Sequence, residues 1–202
     1  MKKAASFALG CKVNQYESEA IAELFQEKGY EIVGIDEEAD VYVINTCTVT
    51  NFGDKKSRQL IRKVEGVNLV IGTKDRAQIV EMVENYKTEN GVENHVSDIM
   101  KERVFEPLSI QKLANRTRAY LKIQDGCSQF CSYCIIPYLR GKFRTRQMDD
   151  VLYEARLLAS SGVKELIVVA QDTSRYGTDL PGHKRLLPEL LRELCKIDGF
   201  KW

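Results

Sequence analysis

The sequence is poor in histidine, in net charge and in long apolar runs. Its two histidines, His95 and His183, stand alone, so neither is a natural partner for cysteines in a mixed zinc site. A formal net charge of +1 gives no overall field that attracts nucleic acid, so such a contact would need a local patch. We find no secretory signal peptide and no run long enough to span a membrane. This predicts a cytoplasmic protein whose thiols stay reduced.

Residues 1–87 alternate apolar, strand-like runs with amphipathic helices. The predicted strands are Ala4–Leu9, Tyr30–Val33, Val41–Asn45 and Asn68–Gly72, and the predicted helices are Asn14–Lys28, Asp54–Val64 and Ala77–Tyr86. Strands that alternate with helices predict a parallel sheet with helices on its faces. We therefore expect an N-terminal α/β domain.

Residues 88–117 break this alternation and are predicted to form a linker, with a short strand at Val104–Phe105. A second alternation fills residues 118–202, with predicted strands at Ala119–Gln124 and Glu165–Ala170 and helices at Asp149–Ser160 and Leu186–Ile197. In β/α barrels the sites lie on the loops that follow the strands, and a full barrel takes about 250 residues. Residues 118–202 would therefore supply the first βα units of an incomplete barrel.

Three of the six cysteines, Cys127, Cys131 and Cys134, share the loop that follows the first strand of this second alternation. Iron–sulfur clusters are held by cysteine thiolates, normally four, so three ligands would leave one iron open. Zinc and unligated thiols are the alternatives, and the spacing favours iron–sulfur. The C-x3-C-x2-C spacing resembles the cluster loop of the radical S-adenosylmethionine (SAM) enzymes.

Two other cysteines, Cys11 and Cys47, each follow a predicted strand of the N-terminal domain. Strand ends on one edge of a parallel sheet converge on a common crevice, so these cysteines could meet there. Burial of each as a small apolar residue is the alternative. Cys195 is predicted to be a core residue of the last helix.

Longer stretches carry a family resemblance: L-G-C-K-V-N-Q-Y-E-S-E, D-V-Y-V-I-N-T-C-T-V-T and R-A-Y-L-K-I-Q-D-G-C-S-Q-F-C-S-Y-C-I-I-P-Y-L-R-G. With these motifs, nearly all of the chain resembles the radical-SAM methylthiotransferases. The resemblance implies a [4Fe–4S] cluster on Cys127, Cys131 and Cys134, SAM at its open iron, and an electron donor that drives SAM cleavage. It also implies that Tyr133 lies near the adenine of SAM and that Gln171 and Asp172 lie near its amino group.

The resemblance further implies a second, auxiliary [4Fe–4S] cluster held by three cysteines of the N-terminal domain. Cys11 and Cys47 match two of them. The third is expected after a strand between Val64 and Asn68, where the sequence reads R-K-V-E-G-V-N-L-V and has no cysteine. We therefore expect this cluster to bind weakly or not at all. Without the later barrel strands and the family's RNA-binding domain, the chain is expected to be a partial enzyme.

The motifs point to two substrates. The N-terminal motifs resemble the branch that methylthiolates threonylcarbamoyladenosine beside the tRNA anticodon, whereas the sequence from Gly141 resembles the branch that modifies an aspartate of ribosomal protein S12. The longer match favours tRNA, with S12 or a non-catalytic iron–sulfur fragment as alternatives.

Two groups of basic residues bear on a nucleic-acid partner. Arg140, Lys142, Arg144 and Arg146 alternate beside the cluster loop and are predicted to contact phosphates from one side of an extended segment. A helical group is predicted to be a solvated face: Lys55, Lys56, Arg58, Arg62 and Lys63.

Overall fold

The structure, a computed structural model, describes residues 1–62, 66–111 and 116–202. It divides into two compact units. The first comprises Met1–Ile99 with Glu106–Leu108, and the second comprises Met100–Phe105 with Ser109–Trp202. Both units combine helices with parallel strands, so the predicted α/β class is confirmed.

The first unit is built on a three-stranded parallel sheet. Its elements are β1 (Lys3–Ala8), α1 (Lys12–Glu27), β2 (Glu31–Val33), β3 (Val41–Asn45), α2 (Asn51–Ile61), β4 (Leu69–Ile71), α3 (Ile79–Asn85) and β5 (Glu93–His95). Strand β1 lies between β2 and β3, while β4 and β5 form a separate parallel pair. The core joins Ile21 and Phe25 of α1 to Ala4 of β1 and Ile79 of α3. This packing holds α1, which begins at Lys12 shortly after β1 ends, against the sheet.

The second unit opens with a βα arrangement around a parallel strand pair. Its elements are β6 (Arg118–Lys122), β7 (Gln124–Asp125), α4 (Ile136–Arg140), β8 (Arg144–Thr145), α5 (Met148–Ser160), β9 (Glu165–Val169) and α6 (Leu187–Leu194). Strand β6 pairs with β9 in parallel, and β7 pairs with β8 antiparallel. Leu121 of β6, Val151 and Ala155 of α5 and Leu190 of α6 share one core. Residues 118–202 therefore form the start of a β/α barrel.

Three local predictions are wrong. Glu93–His95 forms β5 inside the range predicted as a linker, because three residues are too few to show a period and pairing with β4 decides their state. Val104 and Phe105 lie in no strand. Cys195 is exposed, because α6 ends at Leu194 and the cysteine falls beyond its buried stripe.

Within the described ranges, no helix is both long enough and apolar enough to cross a membrane. The cytoplasmic location stays a prediction.

A buried ion pair network ties the first unit together. Arg76 lies 2.7 Å from a Glu17 carboxylate oxygen and 2.6 Å from a Glu106 carboxylate oxygen. The side chain of Glu17 is fully buried. Breaking a buried pair by removing one partner is strongly destabilising, because the remaining charge stays out of water. Through Arg76, the segment Glu106–Leu108 is attached to the first unit.

Arg76→Met is expected to lower the free energy of unfolding by about 3–5 kcal/mol, because it removes this counter-charge from Glu17. Urea denaturation measures the change. Arg58→Met is the matched control, since Arg58 pairs with Asp54 at 2.8 Å but its side chain is 68% exposed, and exposed pairs contribute at most about 1 kcal/mol. Equal losses in the two variants would contradict this account.

Candidate metal centre and cofactor site

The three clustered cysteines lie in the loop that joins β7 to α4. Cys127 and Cys134 are half-buried, Cys131 is exposed, and all three are free thiols. The Cys134 N–H donates to the Cys131 carbonyl at 2.9 Å, so these two cysteines are the ends of one β-turn. In the described ranges, no group of three or more His, Cys, Asp or Glu side chains is arranged to hold a metal ion. The fit to a cluster therefore rests on the donor chemistry, three thiols within one short loop.

A buried carboxylate, that of Asp125, lies at the base of this loop. Its Oδ1 accepts from the Gly126 N–H at 2.8 Å and from Arg140 at 3.2 Å. Its Oδ2 accepts from Lys122 at 2.7 Å and lies 3.8 Å from an Arg144 nitrogen. Asp125 is 2% exposed. One carboxylate thus contacts residues on both sides of the cysteine loop.

The two ends of the loop approach closely at Gly126. Its φ of +74° lies in the left-handed region, and a Cβ added there would lie 2.2 Å from the Lys142 carbonyl oxygen. The Cys127 N–H donates to the Gly141 carbonyl at 3.1 Å, and the Phe143 N–H donates to the Ser128 hydroxyl at 3.1 Å. Glycine is required at this position because a side chain has no space.

The end of β9 lies beside the same loop. The buried Gln124 accepts at its Oε1 from the Asp172 N–H at 3.1 Å, and the Gln129 amide lies 3.4 Å from the Asp172 carboxylate. Gln171 Oε1 is buried and has no hydrogen-bond partner among the described residues. The structure therefore brings Asp172 to the cysteine loop and leaves Gln171 with an unused acceptor.

Several aromatic side chains of this loop and of α4 face solvent. Tyr133 is 90% exposed and Tyr138 is 62% exposed. The ring of Phe130 meets that of Tyr138 edge-on, with centroids 5.7 Å apart. Tyr133 is thus accessible to a ligand, and its predicted place beside adenine stays a prediction.

The prediction that Arg140, Arg144 and Arg146 contact phosphates is wrong. All three are buried, at 7%, 3% and 6% exposure, and they pair with carboxylates of the chain itself. Arg140 and Arg144 contact Asp125, and Arg146 pairs with the buried Glu154. Lys142 alone of the four basic residues is exposed.

A second buried contact fixes the backbone at Arg146. The Tyr176 hydroxyl donates to the Arg146 carbonyl at 2.9 Å. Burial raises the pKa of Tyr176 well above its ordinary value, with the nearby Arg146 acting in the opposite direction. The phenol therefore stays protonated and keeps donating. The Arg146 and Lys122 cations also lie over the Phe105 ring, at 5.8 and 5.4 Å from its centre.

Cys11 and Cys47 lie at neighbouring strand ends of the first unit. Cys11 is exposed and Cys47 is buried. The Asn14 amide nitrogen lies 3.0 Å from the Leu9 carbonyl oxygen and 2.8 Å from the Thr46 carbonyl oxygen, so one buried side chain joins the segments that precede both cysteines. The Cys47 N–H donates to the Ser57 hydroxyl of α2 at 3.1 Å.

Gly10 brings these two segments into contact. A Cβ added at Gly10 would lie 2.4 Å from Cys47 Cβ and 2.7 Å from its sulfur. The predicted location of a third auxiliary ligand, between Val64 and Asn68, includes residues 64 and 65, which lie outside the described residues. Lys63 of the basic helix also lies outside them. Lys55, Lys56, Arg58 and Arg62 are exposed.

Sequence reasoning missed Asp125 and its cationic partner Lys122. Asp125 precedes a glycine, a pair typical of an exposed turn, and Lys is rarely buried unless paired. The signal that could have identified them is the proximity of one acidic residue to the alternating arginines around the loop.

Two family models match the chain. The model described as "Uncharacterized protein family UPF0004" matches residues 3–100, and the model of the radical SAM superfamily matches residues 121–201. The chain is 42% identical over 228 aligned positions to the threonylcarbamoyladenosine tRNA methylthiotransferase MtaB of Bacillus subtilis, a match that includes 100% of this chain and 50% of that protein. The chain belongs to the radical-SAM methylthiotransferase family.

A second branch of this family is also similar. The ribosomal protein uS12 methylthiotransferase RimO of Caldanaerobacter subterraneus is 38% identical over 233 positions, which include 100% of this chain and 52% of that protein. The chain thus spans about half the length of the curated relatives it matches. Both alignments are longer than the 202 residues of the chain, so the relatives contain residues within the matched region that this chain lacks.

The fold resembles that of solved radical-SAM proteins. The radical SAM methyltransferase TsrM of Kitasatospora setae, solved with cobalamin and a [4Fe-4S] cluster, gives a TM-score of 0.51 at 14% identity, with 96% of this chain and 52% of that chain covered. A second TsrM structure, with tryptophan and a SAM analogue, gives 0.51 at 12% identity, with 94% and 49% covered. At these identities the likeness is one of fold alone.

Gly10→Ala is expected to destabilise the first unit and to expose Cys47. The φ of Gly10 is +109°, and a non-glycine residue in such a conformation costs about 1–3 kcal/mol. The clash of the added Cβ with Cys47 costs about 1–3 kcal/mol more through overpacking. Urea denaturation and the rate of thiol labelling at Cys47 measure the two effects.

Gly29→Ala is the matched control for Gly10→Ala. Gly29 also has a positive φ, of +83°, but a Cβ there meets no atom within 4 Å. It should show the backbone cost without faster labelling of Cys47. Labelling of Cys47 at the wild-type rate in Gly10→Ala would contradict the close approach of the two strand ends.

Proposed function

We propose that this chain carries the SAM-cleaving centre of a methylthiotransferase whose substrate is N6-threonylcarbamoyladenosine of tRNA, beside the anticodon. Membership of the radical-SAM family implies a [4Fe–4S] cluster and SAM. The observation that carries the proposal is the loop with Cys127, Cys131 and Cys134. This loop follows the first strands of the second unit, and β/α folds place their sites on the loops that follow strands. The 42% identity to MtaB supports the tRNA substrate.

The cysteine loop supplies the ligands that the cluster needs. Cys127, Cys131 and Cys134 would hold three irons, and the bound cluster would supply the electron that cleaves SAM. Asp125 and Gly126 hold the base of the loop through the contacts described above. Cys131 is exposed, so its thiol would be accessible to incoming iron and sulfide.

The end of β9 suits the amino acid part of SAM. Gln171 Oε1 is buried without a donor among the described residues, so an ammonium group would satisfy it, and a buried acceptor without a partner is costly. The Asp172 carboxylate adds negative charge at the same place. The accessible Tyr133 ring offers a surface on which adenine could stack.

The first unit would hold the sulfur-handling function of the family. Cys11 and Cys47 present two thiols at adjacent strand ends, one fewer than the family's auxiliary cluster uses. We infer that this pair does not retain a second cluster on its own.

Ribosomal protein S12 is the second candidate substrate. Two RimO proteins are 38% and 39% identical to the chain, close to the 42% identity of MtaB. The sequence from Gly141 also resembles the RimO branch. A third possibility is an iron–sulfur fragment that transfers electrons without cleaving SAM.

Anaerobic reconstitution with iron and sulfide is expected to give about four irons per chain, one [4Fe–4S] cluster, and release of 5′-deoxyadenosine from SAM with dithionite. Cys131→Ser should lose both, because it removes a ligand. Cys195→Ser is the matched control, since this exposed cysteine lies outside the loop, and it should keep both. A cluster without 5′-deoxyadenosine would favour the electron-transfer alternative, and about eight irons would contradict the loss of the auxiliary site.

Mass spectrometry of tRNA and of S12 distinguishes the two substrates. Cells that lack their own methylthiotransferases and express this protein should gain a methylthio group on threonylcarbamoyladenosine. Modified S12 with unmodified tRNA would support the alternative. If neither gains the group, both substrate assignments fail.

A further inference from the structure

One buried carboxylate contacts both sides of the cysteine loop. Asp125 accepts from the Gly126 N–H, directly before Cys127, at 2.8 Å. The same oxygen accepts from Arg140, at the end of α4 and six residues after Cys134, at 3.2 Å. Its other oxygen lies 3.8 Å from Arg144 of β8. The carboxylate therefore links the chain that enters the loop to the chain that leaves it.

Backbone pairing alone gives this loop little support. Strands β7 and β8 have two residues each, with Asp125 opposite Arg144. Short ladders of this kind are marginal in water. Charge-assisted hydrogen bonds are shorter and stronger than neutral ones, and in a buried place they are not weakened by solvent. The side chains around Asp125 therefore add much of the support that the short strands do not provide.

A second buried carboxylate in the same unit offers a comparison. Glu154 of α5 is 1% exposed, accepts from the Ile110 N–H at 3.1 Å and pairs with Arg146. Like the Asp125 carboxylate, the Glu154 carboxylate accepts a hydrogen bond from a backbone N–H and pairs with an arginine. Its backbone partner Ile110 and its arginine partner Arg146 both lie outside the loop between Gly126 and Gly141.

We propose that Asp125 is a positioning residue that holds the two ends of the cysteine loop together before any cluster is bound, and thereby determines how firmly the loop retains iron. This inference rests on the proposed function for the identity of the metal group. The closure of the loop itself is a property of the metal-free chain. Residues that do not bind the metal but hold its ligands in place typically lower metal affinity by about 10–100-fold when they are substituted.

Hydrogen exchange of the metal-free, full 202-residue chain tests the closure directly. Asp125→Asn keeps the shape of the side chain and removes its charge, so the amides of residues 126–141 should exchange faster than in the wild type. Glu154→Gln is the matched control. It should lower the overall stability of the unit, but the exchange rate of residues 126–141, compared with that of the rest of the unit, should stay as in the wild type. Wild-type exchange in Asp125→Asn, or equal loss of protection in both variants, would overturn the proposal.

Arg140→Lys covers the case in which Asp125→Asn does not fold. It keeps the positive charge but removes the planar guanidinium that reaches Asp125, so the change is milder. Faster exchange confined to residues 126–141 is expected. Unchanged exchange of this segment in Arg140→Lys would also overturn the proposal.

Competition with an iron chelator after reconstitution tests the consequence for the metal. Asp125→Asn should lower the apparent affinity of the chain for its iron by about 10–100-fold, and Glu154→Gln should leave it unchanged. Wild-type affinity in Asp125→Asn would contradict the role in retention. If the wild-type chain binds no iron at all, the proposed function fails, while hydrogen exchange still decides whether Asp125 closes the loop.

Discussion

The geometry of the cysteine loop depends on the hydrogen bonds and ion pairs of the buried Asp125 carboxylate. This carboxylate is almost fully buried, and its hydrogen-bond and ion-pair partners are a backbone N–H, a lysine and two arginines. Burial of this many charges is unfavourable unless each is paired with good geometry. The arrangement therefore admits few alternatives, and the loop between its partners is held at both ends.

The first unit uses a polar side chain in a related way. Asn14, almost fully buried, joins the backbone that follows β1 to the backbone that follows β3. Buried amides of this kind are costly unless their hydrogen bonds are made, so Asn14 fixes the separation of the two strand ends. In each unit a buried polar group at strand ends therefore positions the segment that bears the cysteines.

The regular elements were predictable where the apolar pattern was long. Val41–Asn45 forms β3 as predicted, and the helix predicted at Asp149–Ser160 begins one residue earlier, at Met148. The three-residue β5 was not predictable, because its pairing with β4 is decided by tertiary contacts. The alternating arginines were misread because alternation shows that residues share one face of an extended segment, but not whether that face meets water or a buried carboxylate. For Arg140 and Arg144 the carboxylate is that of Asp125, which lies fifteen or more positions away in sequence, so the local alternation could not show this pairing.

In the proposed function, the loop of Cys127, Cys131 and Cys134 holds a cluster with an iron that is open to SAM. Electron paramagnetic resonance of the reconstituted, dithionite-reduced chain tests it most directly, with and without SAM. We expect the signal of a reduced [4Fe–4S] cluster, and its g values should shift when SAM is added, because SAM would become a ligand of the open iron. A cluster signal that SAM leaves unchanged, or no cluster signal, would contradict it.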